Sequence, residues 1–432
     1  MKFIQKKGKD TNMTRKRPVQ WTKLDNAAKI FPPNTNEKDT KVFRFICELN
    51  EEVDKDVLEE ALNKTMTLFP IYHSVLRKGV FWYYLESSDI KPEVREEYKP
   101  PCSTLYVPNK KNLLFEVTYY KKRINLEVYH VIADGTGALA FFKTLLHYYI
   151  TIKHSEDFKD VMPTLEYDAS FSQKMDDSFL KHYTGEKVLR MVKVPKAYRI
   201  TGRRSIDNRL KIIEGIMSVK EVITLAHNHN TTLTVYLTAL FIRAIYDEMA
   251  ERSKKHPVVL TIPVNLRSFF PSVTARNFFG TITISYDFSK NGDDLQTIIK
   301  EVKEAFAREL TQEKLRTHMN RLSALEHNVF MRVVPLFIKD WVLRIANNIN
   351  DKGITATLSN VGKITVAKEL EPYINLFNCF NSARRPQIAM CSFGDKLIVS
   401  FASPFDGTDI QKNFYRMLTA EGAKVVITSS VT

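Results

Sequence analysis

The chain has 432 residues, of which 44% are hydrophobic and 11% aromatic, and it carries a net charge of +15. A single hydrophobic core rarely grows to this length, so two domains of roughly 200 residues each are expected. The composition excludes a disordered, collagen-like or low-complexity protein, and no repeat of solenoid or propeller period is present.

The first seventeen residues contain seven lysines and arginines and one acidic side chain, Asp10, which gives a charge of +6. No apolar segment follows, so residues 1–20 are predicted to be a flexible basic tail and not a secretory signal. The longest apolar run, residues 333–345, is interrupted by Lys339, Asp340 and Arg344. It is therefore too polar for a transmembrane helix, which needs about 20 apolar residues.

The four cysteines form neither a C-x-x-C pair nor a zinc-like spacing with histidines. So few scattered cysteines in a long chain indicate a reducing compartment, in which they serve as small buried side chains. We therefore predict a cytoplasmic protein without a metal site. The residues concerned are Cys47, Cys102, Cys379 and Cys391.

In the first half, residues 43–49 predict a strand, 53–67 a helix and 80–85 a second strand. Residues 113–130 predict a β-hairpin that turns at Lys121 and Lys122. On its second strand Leu126, Val128 and His130 alternate with polar residues, so they share the apolar face. The hairpin therefore delivers His130 at the end of a strand.

A turn at residues 134–137 follows His130, and an amphipathic helix with Phe142 and Leu146 on its apolar stripe comes next. Residues from about 155 to 211 are charged and contain prolines, which indicates the crossover between domains. A basic cluster within it suits an anionic partner such as a phosphorylated cofactor, or simply a solvated linker. Its members are Lys187, Arg190, Lys193, Lys196, Arg199, Arg203, Arg204, Arg209 and Lys211.

The second half also alternates helices and strands. Ser218 and Glu221 form a capping box, and a long helix is predicted over 232–251. Strands are predicted over 258–264, 280–288, 355–358, 388–391 and 397–401, with mainly helical structure over 295–349 and a last helix from about residue 408. Because hairpins occur among these strands, the fold class is α/β or α+β with mixed sheets.

His130 is the strongest candidate for chemistry. An imidazole with a near-neutral pKa can take a proton from a hydroxyl or amine at pH 7. Asp134 begins the following turn, and Gly135 is expected to allow a close approach and a positive φ. Position and spacing alone leave open that His130 is only a core histidine with satisfied hydrogen bonds.

Residues 130–135 resemble the H-x-x-x-D-G motif of the coenzyme A-dependent acyltransferase superfamily, which includes chloramphenicol acetyltransferases and peptide-synthetase condensation domains. Residues 24–32 resemble the opening of bacterial alcohol acetyltransferase-like proteins. Residues 262–267, 276–280 and the S-N-x-G stretch at 358–362 resemble further segments in the same order. The resemblance covers nearly the whole chain from about residue 21.

The resemblance implies two chloramphenicol-acetyltransferase-like subdomains with an active-site tunnel between them. We expect a basic tail (1–20), an N-terminal subdomain (21–185), a basic linker (186–211) and a C-terminal subdomain (212–432). His130 is implied as the general base, and Asp134 as a structural residue that pairs with Arg267. Ser359 and Asn360 are candidates for oxyanion or substrate contact.

The implied reaction moves an acyl group from acyl-CoA to an alcohol or amine, without a metal, a permanently bound cofactor or a covalent intermediate. The D-F-G-W-G motif of the plant branch is absent, which argues against that branch alone. The alternatives are a condensation-type enzyme fed by an acyl carrier protein, a non-catalytic protein on this fold, and a charge-driven nucleic-acid binder. No nucleic-acid-binding signature supports the last. The basic tail and amphipathic helices also fit peripheral contact with a membrane.

Overall fold

The computed structural model describes residues 21–159, 163–165, 170–186, 196–205, 207–327 and 332–430. The predicted basic tail and residues 187–195 and 206 of the predicted linker lie outside this part of the chain. Within it, the strands form sheets of three, five and seven strands. Helices pack against the two larger sheets, and the fold class is the predicted mixture of α and β structure.

The five-stranded sheet, called here the N-terminal sheet, contains the predicted hairpin. Its strands Phe115–Tyr120 and Arg123–Tyr129 pair antiparallel, and His130 follows directly. The apolar residues Ile124, Leu126 and Val128 are completely buried, as their alternation predicts. In spatial order the strands are Ile374–Asn381, Val42–Leu49, Arg123–Tyr129, Phe115–Tyr120 and Val94–Glu96.

One strand of the N-terminal sheet comes from the second half of the chain. Ile374–Asn381 pairs antiparallel with Val42–Leu49, so Phe377 lies beside Cys47 and Asn381 beside Phe43. The sequence pattern did not predict this strand. It is buried on both faces and therefore lacks the alternation that identified the hairpin.

The seven-stranded sheet, called here the C-terminal sheet, contains parallel and antiparallel pairs. A turn at Gly394 and Asp395 joins two of its strands, and Gly394 has the positive φ of 56° that such a turn requires. In spatial order the strands are Phe279–Tyr286, Val258–Asn265, Ala356–Lys363, Gln387–Phe393, Lys396–Ser403, Lys211–Ser218 and Val426–Ser429. The three-stranded sheet contains Trp21–Lys23, Tyr83–Ser87 and Ser74–Lys78.

The predicted helices are present, and side chains cap several of them. Ser218 accepts a hydrogen bond from the backbone N–H of Glu221 at 3.3 Å, which confirms the helix start inferred from the capping box. The helices of eight or more residues are Lys55–Leu68, Gly135–Lys153, Val219–Asn228, Leu233–Asp247, Leu295–Glu309, Gln312–His327, Leu336–Asp351 and Asp409–Ala420. No helix in the described ranges is both long and apolar enough to cross a membrane.

Two of these helices recur below. Gly135–Lys153, the capped helix, is largely buried in the core under the N-terminal sheet. Leu336–Asp351, the outward helix, contributes only Leu336 and Asp340 to the buried residues. The two hydrophobic cores lie one under each large sheet, and Ala275 of the second half joins the core of the first.

Candidate functional site

A cavity of about 510 Å³ lies where the two halves meet. Five residues singled out from the sequence line it: His130, Asp134, Gly135, Ser359 and Asn360. The first three come from the end of the hairpin and the start of the capped helix, and the last two from strand Ala356–Lys363. The fold therefore brings together side chains more than 200 residues apart in the chain.

The imidazole of His130 is enclosed by aromatic rings. Phe31 stacks on it with ring centroids 5.0 Å apart, Phe43 lies at 4.4 Å and Phe279 at 6.1 Å. This burial lowers the pKa of His130 to about 4, and the nearby carboxylate of Asp134 offsets the effect only in part. The ring is therefore neutral at pH 7, which is the protonation state of a general base.

The backbone of His130 is held from both sides. Its N–H donates to the carbonyl of Lys41 at 3.0 Å. Its carbonyl accepts from the buried amide Nδ2 of Asn277 at 2.9 Å, and this amide also donates to Asp25 at 3.2 Å. Asn277 was not predicted to act at the site, although it lies within the stretch 276–280 that carries part of the resemblance. It is a second-half residue that positions the histidine.

Asp134 joins the two halves through its carboxylate. Oδ1 accepts from the backbone N–H of Gly137 at 2.9 Å and so caps the capped helix. Oδ2 accepts from Arg267 at 2.8 Å and from the backbone N–H of Phe278 at 2.7 Å. The carboxylate is almost completely buried, and these bonds compensate the loss of water around it.

Arg267 lies behind Asp134 and does not line the cavity. Besides the ion pair at 2.8 Å, its guanidinium donates to the backbone carbonyls of Thr274, Arg276 and Phe278. The contact that the resemblance implied is thus present. It fixes the loop from residue 274 to 278 against the start of the capped helix, and the same loop carries Asn277.

The expectation of a positive φ at Gly135 is wrong. Gly135 begins the capped helix and is not in the left-handed region, and an added Cβ would meet only the Phe45 ring at 4.0 Å. The crowded glycine is Gly137, where a Cβ would lie 2.0 Å from the carbonyl oxygen of Ala275. Close approach of the two halves therefore requires a glycine two residues later than expected.

Ser359 and Asn360 lie together on one strand at the cavity, but their side chains differ in what they contact. The amide of Asn360 donates to Thr234 at 2.8 Å, and its carbonyl accepts from the backbone N–H of Gly362 at 2.8 Å. A bulge follows, and Gly362 has a φ of 86°. Asn360 therefore shapes the strand, whereas Ser359 lines the cavity and, among the described residues, its hydroxyl group is not engaged in the same way.

The sequence matches neither a protein-family profile nor a curated protein. Solved structures match over almost the whole chain. Polyketide synthase associated protein 5 from Mycobacterium tuberculosis matches with a TM-score of 0.63 and 13% identity, over 93% of this chain and 97% of its own. F. sporotrichioides TRI101, complexed with coenzyme A and T-2, matches with a TM-score of 0.62 and 12% identity, over 94% and 99%.

The first condensation domain of the calcium-dependent antibiotic synthetase, in complex with a substrate analogue, matches with a TM-score of 0.60 and 13% identity, over 94% and 99%. The chain has the acyltransferase and condensation-domain fold. This confirms the fold inferred from the resemblance. At such low identity the acyltransferase fold is what the matches establish, and the chemistry must be argued from this chain's own residues.

Proposed function

We propose that the chain is an acyltransferase that moves an acyl group from a thioester to an alcohol or amine, with His130 as the general base. The observation that carries this proposal is a neutral, desolvated imidazole that lines a cavity and is held by both halves of the molecule. The related fold of a protein bound to coenzyme A supports it. A core histidine would need no such cavity.

In the proposed reaction the acceptor O–H or N–H lies against His130. The Nδ1 atom is buried, so Nε2 is the ring nitrogen that can meet a substrate in the cavity. Nε2 takes the proton while the acceptor attacks the thioester carbonyl, and a tetrahedral oxyanion forms. The C–S bond then breaks, and the imidazolium returns its proton to the leaving thiolate.

Burial also matters for the rate of this step. Because the surroundings of His130 are apolar, the imidazolium is unfavourable and passes its proton on readily once the C–S bond breaks. Asp134 interacts favourably with the imidazolium and limits this penalty during the transfer. We assign the oxyanion donor to Ser359, since the amide of Asn360 is already engaged with Thr234.

A cation at the cavity favours coenzyme A as the source of the acyl group. Arg384 lines the cavity, and its guanidinium has no carboxylate partner among the described residues. Its neighbour Arg385 pairs with Asp351 at 2.5 Å. A guanidinium without a carboxylate partner in a binding cavity suits a phosphate group, which coenzyme A carries.

The deciding experiment measures thiol release from a panel of acyl-CoAs with mixed alcohol and amine acceptors. We expect acceptor-dependent release by the native chain and a loss of about 10²–10⁴-fold in His130→Ala. His227→Ala, a change of another histidine away from the cavity, serves as the control and should retain activity. If His130→Ala is folded and as active as the native chain, the proposed chemistry is wrong.

A second measurement separates coenzyme A from a carrier-bound donor. Arg384→Ala should raise KM for an acyl-CoA about tenfold, the effect of losing one charge-assisted contact to phosphate. It should leave KM unchanged for the same acyl group on pantetheine, which has no phosphate. The native chain could instead show an equally high KM for the acyl-CoA and for the acylpantetheine. If efficient turnover then requires an acylated carrier protein, the condensation-type alternative applies.

A further inference from the structure

The outward helix exposes most of its apolar side chains to water, whereas an ordinary surface helix buries them against the protein. Six apolar side chains at helical spacing form its exposed face, and the side facing the protein carries Asp340, Asn347 and Asp351. Asn347 and Asp351 line the cavity of His130. The exposed apolar residues are Phe337, Ile338, Trp341, Val342, Ile345 and Ile349, and Phe337 and Trp341 are 68% and 63% exposed.

The tip of a second hairpin, between strands Ser74–Lys78 and Tyr83–Ser87 of the three-stranded sheet, extends this apolar surface. The backbone N–H of Leu336 donates to the carbonyl of Val80 at 2.8 Å, and Lys339 donates to the carbonyl of Phe81 at 2.9 Å. Val80, Phe81 and the adjacent Trp82 are all exposed, and the rings of Phe81 and Trp82 are 6.1 Å apart. The tip and the outward helix therefore form one continuous surface.

All three tryptophans of the chain are exposed, and two of them, Trp82 and Trp341, lie on this surface. Trp341 belongs to the outward helix and Trp82 to the hairpin tip. Trp21 shares one side of its strand with Lys23, whose ammonium lies 5.7 Å from the centre of the Trp82 ring. We call the apolar surface of the tip and the helix the tryptophan face: it consists of the tip residues Val80, Phe81 and Trp82 and the six apolar residues of the outward helix.

The charges around the tryptophan face are mainly positive. Lys23, Lys78 and Lys339 surround it, while Asp340 is buried beneath and pairs with Lys78 at 3.3 Å. The basic tail, with its charge of +6 in the first seventeen residues, joins the described chain at Trp21. An apolar centre, tryptophans and surrounding cations are the features of a surface that inserts into anionic lipid.

We propose that the tryptophan face binds the surface of an anionic phospholipid membrane, with the outward helix lying in the plane of the interface. A second copy of the chain fits this face less well, because a two-fold contact would bring together two rims that are both mainly positive. The proposal does not depend on acyl transfer. It adds a consequence, since the membrane-bound helix also lines the cavity that contains His130.

The test is direct because two of the three tryptophans, Trp82 and Trp341, lie in this face and report on its surroundings by their fluorescence. Full-length protein is mixed with vesicles of phosphatidylcholine and phosphatidylglycerol, and binding is measured by flotation. Brominated phosphatidylcholine then replaces the unlabelled lipid. We expect co-flotation, a blue shift of the emission, and quenching that persists in about 0.5 M NaCl, where charges are strongly screened.

The variant Phe337→Glu/Ile345→Glu keeps every tryptophan and changes only the apolar centre. Two large apolar side chains are lost from the interface, so the partition coefficient should fall at least about tenfold. The control is Val426→Glu/Ile427→Glu, which adds the same two charges at an exposed strand on the C-terminal sheet. It should bind within about twofold of the native chain.

Three results would overturn the proposal. The native chain could fail to float with the vesicles. It could float without quenching and dissociate in salt, which would mean attachment by the basic tail alone. Finally, light scattering could find a native dimer that the Phe337→Glu/Ile345→Glu variant dissociates, with vesicle binding unchanged, which would mean that the face joins two copies.

Discussion

Two helices border the cavity of His130, and they use their apolar residues in opposite ways. The capped helix, Gly135–Lys153, buries Phe141, Phe142 and their apolar neighbours in the core under the N-terminal sheet. The outward helix, Leu336–Asp351, exposes most of its apolar side chains and turns its acids inward. An amphipathic pattern therefore predicts that a helix forms, but it does not identify what the apolar face of that helix contacts.

The first prediction compares the same substitution in both helices. Phe142→Ala should lower the free energy of unfolding by about 3–5 kcal/mol, because the ring is completely buried and its loss leaves a cavity. Phe337→Ala should change it by less than about 0.5 kcal/mol, because water already surrounds the ring. Chemical denaturation of both variants measures the difference, and equal losses would contradict the assignment of the outward face.

The second prediction compares two buried carboxylates: Asp134, which caps the capped helix, and Asp340, which lies within the outward helix. Asp134→Ala should destabilise the fold by about 3–5 kcal/mol, because Arg267 would remain buried without its partner. Asp340→Ala should cost roughly 1–2 kcal/mol, since it removes one acceptor from the Tyr83 hydroxyl, while Lys78 is half exposed and can be hydrated. Urea titrations of both variants test this order. A smaller loss for Asp134→Ala would mean that the carboxylate does not join the halves.

The third prediction concerns two glycines at the start of the capped helix. Gly137→Ala should cost about 3 kcal/mol, at the upper end for overpacking, because its Cβ would collide with the carbonyl of Ala275. Gly135→Ala should be tolerated, since its Cβ meets nothing closer than 4.0 Å. Thermal unfolding distinguishes the pair. Equal tolerance at both positions would show that the halves are not in close contact here.

The fourth prediction uses the pH dependence of acyl transfer. Because the pKa of His130 is lowered to about 4, the base stays neutral, and kcat/KM should be flat between about pH 5 and 8. Phe31→Ala exposes the ring to water and raises this pKa, so activity should be lost as the pH falls towards about 6. Phe81→Ala, on the exposed hairpin tip, should leave the profile unchanged. An acid limb near 6.5 in the native chain would contradict the burial argument.

Local pattern was enough to predict the hairpin, the position of His130 and most helices, because alternation and capping act over a few residues. Asn277 could not be assigned from the residues alone, since it acts on a backbone carbonyl 147 residues earlier. The close approach at Gly137 depends on Ala275, which the spacing within H-x-x-x-D-G does not contain. The orientation of the outward helix could not be predicted from the sequence either, because a periodic pattern does not indicate which face of a helix is exposed to water.

The strand Ile374–Asn381 has a consequence for biosynthesis. Its partner Val42–Leu49 emerges from the ribosome early, yet Asn375 bonds to Glu48, which lies 327 residues before it. At about 5–20 residues per second, the edge of that early strand stays unpaired for tens of seconds. A nascent chain truncated before residue 374 would keep this edge open, so the two halves cannot be produced as separate modules without a chaperone or the missing strand.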